Sequence, residues 1–137
     1  MEEHDRNKLL TITGILDIFL ILIIFLYKLN MFDTFWVSIV LLSHVFFYYN
    51  VINYNRKILE ILHYLIFILP TLSLLSDNIF IKTISLCLIV LIQILWIKEN
   101  RCILNESDSK FGYADELNYY VIFLTCLLSL NISYKIK

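Results

Sequence analysis

Three side chains that can titrate or bind metals, Asp17, His44 and His63, lie inside long apolar runs, with Gln93 as a fourth polar group in the same setting. An ionisable group among aliphatic neighbours is costly unless it is paired or wetted, so these residues should face one another or a polar cavity. Imidazole changes charge near physiological pH and ligates divalent metals, and a carboxylate beside it can stabilise or accept its proton. The chemistry open to such a set is a proton relay, a metal site or a pocket for a lipid headgroup. The plainer alternative is hydrogen-bond glue between helices, which requires only that each polar group find a partner; it is the favoured reading.

Glu60 and His63 also form an E-x-x-H spacing, which on a helix puts both on one face. A di-iron carboxylate site would need a second such pair and two further glutamates from other helices, and the sequence does not supply them. Glu60 is better read as a headgroup-level residue beside Arg56 and Lys57. No metal set, cofactor or catalytic residue is therefore assigned. G-x-S-x-G, Walker-type and H-E-x-x-H patterns do not occur, and two glycines leave little for a backbone phosphate cradle.

A second group follows the fourth apolar run, in Trp96-Ile-Lys-Glu-Asn-Arg-Cys102-Ile-Leu-Asn105-Glu106. As a nucleophile Cys102 would need a base and a lowered pKa, and Arg101 gives only a weak push. It reads more simply as a loop residue against the helix ends, with palmitoylation of a juxtamembrane thiol as a secondary reading. A tryptophan closing a helix, then C-x-L-[TN] and an acidic residue, with histidines in two earlier helices, resembles small multi-span membrane proteins of bacteria and giant DNA viruses. Bacterial members carry Pro-Leu-Thr after the cysteine and a glutamate a few residues on. Here Cys102 is followed by Ile-Leu-Asn, and Glu106 directly follows Asn105. The resemblance covers residues 44–106. It implies a helical membrane fold, transfers no mechanism, and marks His44, His63, Trp96, Cys102 and Glu106 as positions to test.

What must position these residues is legible in composition. A chain of 137 residues that is 60% hydrophobic and 17% charged, with a mean hydropathy of +0.78, is too apolar for a water-soluble domain. Its charges fall between the apolar runs rather than along one face of each, the pattern of membrane spans joined by wetted loops. The net charge of -1 offers no footprint for nucleic acid. Three separated cysteines, Cys87, Cys102 and Cys126, suggest no disulfide framework. With Ala114 the single alanine and no G-x-x-x-G, serines such as Ser38, Ser43, Ser73, Ser85 and Ser129 are the remaining small residues for close helix crossings.

Five runs, 9–27, 34–52, 58–75, 79–97 and 117–134, are each long enough to cross a roughly 30 Å hydrocarbon core at 1.5 Å per residue. The expected fold is all-α: a single polytopic bundle over residues 1–137 with five transmembrane helices, four being the alternative, and a cytosolic loop at 98–116. The first run reads as a retained span rather than a cleaved signal, because it is long, its leader is mixed in charge and no small-x-small cleavage site follows. Phe46, Phe47, Tyr48 and Tyr49 close the second run as an aromatic headgroup belt, and Pro70 should kink the third helix. Two glycosylation sequons, at Asn105 and Asn131, are expected to stay unmodified, one being cytosolic and the other too near the membrane.

Lysines and arginines then orient the chain. With five spans one side holds Arg6, Lys8, Arg56, Lys57, Lys98, Arg101 and Lys110, and the other Lys28, Lys82, Lys135 and Lys137. Seven against four puts the amino terminus in the cytosol and the carboxyl terminus on the opposite side. Asp17, His44, His63 and Gln93 all then fall in the cytosolic half of the bilayer. The leading expectation is a non-enzymatic multi-pass protein with a structural or interaction role in a cellular, host or virion membrane. Its partners would be the lipid bilayer and a homo-oligomer or another membrane protein. The alternatives are a small transporter or channel using the Asp/His cluster, and a membrane-embedded enzyme or metal- or lipid-binding protein.

Overall fold

The computed structural model describes residues 3–99 and 114–137, and side chains within 3–98 and 119–137. It contains α1 (Glu3–Leu26), α2 (Met31–Ile52), α3 (Arg56–Leu72), a 3₁₀ turn (Ser73–Leu75), α4 (Ile79–Glu99) and α5 (Ala114–Ile136), with no strand among the described residues. Five helices are long and apolar enough to cross a bilayer, from 18 to 24 residues each, or about 27–36 Å of rise. Only 17–33% of each apolar stretch is buried, so Phe25, Phe35, Val45, Ile61, Ile97 and Phe123 are among the many large apolar side chains that point outward. Apolar surface on that scale marks faces that lipid or a partner covers.

The chain forms two compact units, Met1–Leu69 and Pro70–Lys137. In the first, α2 presents a stripe at alternating spacings of three and four: Val37, Val40, His44, Phe47 and Val51. The four apolar members are at most 8% exposed, and this seam meets α1 at Asp17, which lies between the buried α1 residues Thr13 and Leu20. Asn30 caps α2, its side-chain oxygen accepting from the Asp33 N–H at 2.7 Å. At the other end Tyr54 adopts a left-handed φ of 51° while the Asn55 N–H returns to Asn50 O at 3.0 Å. This Schellman-like closure turns the chain within three residues; Tyr54 stands where glycine is usual. Leu59 N–H to Asn55 O, at 3.0 Å, then starts α3.

Trp36, 4% exposed, ties α2 to α3 by donating its indole N–H to Leu69 O at 2.8 Å. A last-turn carbonyl is a natural acceptor, because helix ends leave such groups short of backbone partners. Pro70 lies in that same last turn, and the α-helix gives way to the 3₁₀ turn two residues later. In the second unit Ser73 Oγ donates to Pro70 O at 2.6 Å. Asn78 caps α4, its Oδ1 accepting from the Phe80 N–H at 2.9 Å. The α4–α5 seam pairs Ile81, Ser85 and Ile89 with Val121, Leu124 and Leu128, all at most 2% exposed. The α5 stripe continues at the same spacing to Asn131 and Lys135.

Candidate functional site

Two of the four polar residues in the apolar runs meet. Asp17 Oδ1 lies 2.5 Å from His44 Nδ1, and Tyr48 Oη donates to Asp17 Oδ2 at 2.8 Å. Both carboxylate oxygens are thus engaged by α2, from side chains at i and i+4 on one face. Gly14 lies one turn before Asp17, and a Cβ there would meet Tyr48 Oη at 3.6 Å, an ordinary contact, so the approach of α1 does not depend on glycine. Asp17 lies nine residues before the end of α1, about 14 Å of rise, so the cluster sits well inside the apolar length of the hairpin. The Asp17 and His44 side chains are each 17% exposed.

The geometry fixes roles. With Nδ1 facing the carboxylate, a neutral His44 carries its proton on Nδ1, and Nε2 is the nitrogen left to gain or lose one. A protonated His44 would form an ion pair with Asp17, while the Tyr48 hydroxyl keeps the second carboxylate oxygen satisfied in either state. The arrangement can therefore lock two helices together and can hold an exchangeable proton.

Tyr48 joins the site although its place near the end of α2 suggests a headgroup belt. The signal that could have found it is its spacing of four from His44. Tyr49, next in the chain, is the exposed one, and Phe47 is buried. His63 stands on α3, half-buried, with its ring centroid 5.8 Å from that of Phe67 one turn on. Asp17 bonds to His44 and Tyr48. Gln93 and Trp96 are half-buried on α4 in the second unit. Glu60 accepts from Arg56 Nε at 3.2 Å across one exposed turn. Cys102, Asn105 and Glu106 lie outside the described residues. Among those described, no three His, Cys, Asp or Glu side chains are grouped to hold a metal.

The second unit carries polar pairs of its own. Lys82 Nζ donates to Asn131 Oδ1 at 2.6 Å. Lys135 Nζ reaches both Asp77 O at 2.6 Å and Asp77 Oδ1 at 2.9 Å. The Lys135 ammonium, with a smaller contribution from Lys82, holds the Asp77 carboxyl below the usual carboxylate range. The Thr71 and Tyr120 hydroxyls also bond to one another.

Comparison with known proteins finds no matching family model, no matching curated protein and no matching solved structure.

Proposed function

We propose that this chain is a multi-pass integral membrane protein, with five spans, a cytosolic amino terminus and the carboxyl terminus opposite. Its role is structural or interaction-based in a cellular, host or virion membrane. The observation that carries this reading is the division of surface: span-length helices turn most of their apolar area outward, while Asp17, His44 and Tyr48 satisfy one another inward. Lipid solvates the first, and the second spares hydrocarbon an unpaired ionisable group. The Asp17–His44–Tyr48 cluster then serves as the pin that sets α1 against α2, leaving the outer faces for lipid, a second copy or another membrane protein. Extraction at alkaline pH tests the membrane assignment; a chain released into the supernatant would end it.

A proton-exchanging carrier or channel is the second reading, favoured by the 2.5 Å approach of a carboxylate to an imidazole. Reconstituted into vesicles with a trapped pH indicator, such a protein passes protons faster than protein-free vesicles, and Asp17→Asn abolishes the difference. Flux that persists in Asp17→Asn, or that never exceeds the protein-free rate, removes this reading and leaves the structural one.

A further inference from the structure

We propose that the end of the α4–α5 pair formed by Lys82, Asn131, Lys135 and Asp77 binds a phosphate oxyanion, supplied by the headgroup of an anionic phospholipid. The proposal rests on the reading of the chain as membrane-spanning.

Lys82 is the fourth residue of α4, about 5 Å of rise from the helix start, which puts it at the level where hydrocarbon gives way to headgroups. Its residue is 2% exposed, yet the amine's bonded partner is the neutral Asn131 Oδ1 at 2.6 Å. An ammonium carries three donors, and one amide oxygen occupies one of them. A covered cation without an anionic partner is expensive, and lysines near helix ends normally resolve this by reaching the interface.

The local carboxylate is already taken. Asp77 accepts from Lys135 Nζ through both its side chain and its main-chain oxygen. Lys82 and Lys135 against Asp77 leave one positive charge uncompensated. Lys82 also stands in the first turn of α4, where the helix dipole adds to the positive potential rather than opposing it. Asn131 is exposed, so its amide edge borders the surrounding phase, and the covered Lys82 amine lies 2.6 Å behind it, within reach of a group that displaces or shares that amide contact. A phosphate bearing one negative charge balances the group and can accept from the remaining Lys82 donors as charge-assisted hydrogen bonds.

The test uses the full chain in nanodiscs of phosphatidylcholine alone and of phosphatidylcholine with phosphatidylglycerol, with bound lipid counted by native mass spectrometry. Wild type should retain phosphatidylglycerol in preference to phosphatidylcholine. Lys82→Gln should weaken that retention by about tenfold, the worth of one charge-assisted hydrogen bond. Asp77→Asn should strengthen it, because removing the competing carboxylate frees Lys135; a variant that gains affinity cannot be mistaken for one that fails to fold. Added inorganic phosphate separates the sources. Displacement of the lipid would support a site that takes the bare oxyanion, and retention in its presence would support recognition of the lipid-borne group. Equal retention of both lipids, unchanged in both variants, would overturn the proposal while leaving the membrane assignment standing. A chain that does not enter nanodiscs at all would instead sink the membrane assignment.

Discussion

Asp17 on α1 and His44 on α2 approach to 2.5 Å between Oδ1 and Nδ1, and the other carboxylate oxygen accepts from Tyr48. One acidic side chain thereby answers two polar groups of a neighbouring helix, and the α1–α2 hairpin is held by a contact that neither helix could satisfy alone. Removing different members should have unequal effects. Tyr48→Phe forfeits one hydrogen bond and should cost about 1 kcal/mol. Asp17→Leu strands both His44 and Tyr48 and should cost about 2–3 kcal/mol. Adding Tyr48→Phe to Asp17→Leu should then cost almost nothing more, and a double-mutant cycle on unfolding in detergent reads this coupling directly. Additive losses would mean that the two contacts are independent.

A buried bond joins α2 to the last turn of α3. Trp36→Phe keeps most of the ring and deletes the indole donor, leaving Leu69 O without its side-chain partner. The expected loss is about 1–2 kcal/mol, read as a lower unfolding midpoint in detergent. An unchanged midpoint would show that the bond contributes nothing net.

Acid should loosen the tether between α5 and the turn before α4. The Asp77 carboxyl is held below its usual range by Lys135. A carboxyl depressed in the folded state contributes stability that is fully present above its unfolded pKa, about 4, and is lost as pH falls through the lower folded value. The unfolding midpoint of the wild type should therefore fall in that acid window by more than that of Asp77→Asn, while the two run parallel at neutral pH. Parallel profiles throughout would remove Asp77 from the account.

Ser85 lies in the α4–α5 seam at 1% exposure, and its hydroxyl oxygen is buried without a hydrogen-bond partner. An unanswered hydroxyl costs about 1–3 kcal/mol relative to an apolar group of the same shape. Ser85→Ala should raise stability by about 1 kcal/mol. A loss of stability would imply that the hydroxyl is in use.

Apolar length is a property of composition, so five span-length helices could be read from the chain without knowing how they pack. The level of Asp17 against His44 was also legible. Asp17 and His44 stand at similar distances from the same side of two consecutive runs, and in a hairpin equal depth brings them level. Rotation about the axes of α1 and α2 was not legible, because these two runs are apolar nearly all round and give no stripe to orient them. Histidines 44 and 63 therefore looked equivalent, although the bonds of Asp17 go to His44 and Tyr48. Tyr48 was hidden by its neighbours, since a tyrosine in an aromatic helix end fits both a headgroup belt and an interhelical bond. Lys82 was hidden by its function in the charge count: close to a loop, it read as a topological marker, whereas its side chain is buried and its amine ends on Asn131. Side-chain reach of that kind depends on the partner helix, which local sequence does not contain.

The central claim is the five-span arrangement, and its most direct test is a topology map with reporters at the amino terminus, in the loop around Lys110 and after Lys137. The account predicts that the first two report the cytosol and the third the opposite side. Both termini reporting the same side would contradict it: one of the five helices would not cross, and the orientation and depth assigned to the Asp17–His44–Tyr48 cluster would fall with it.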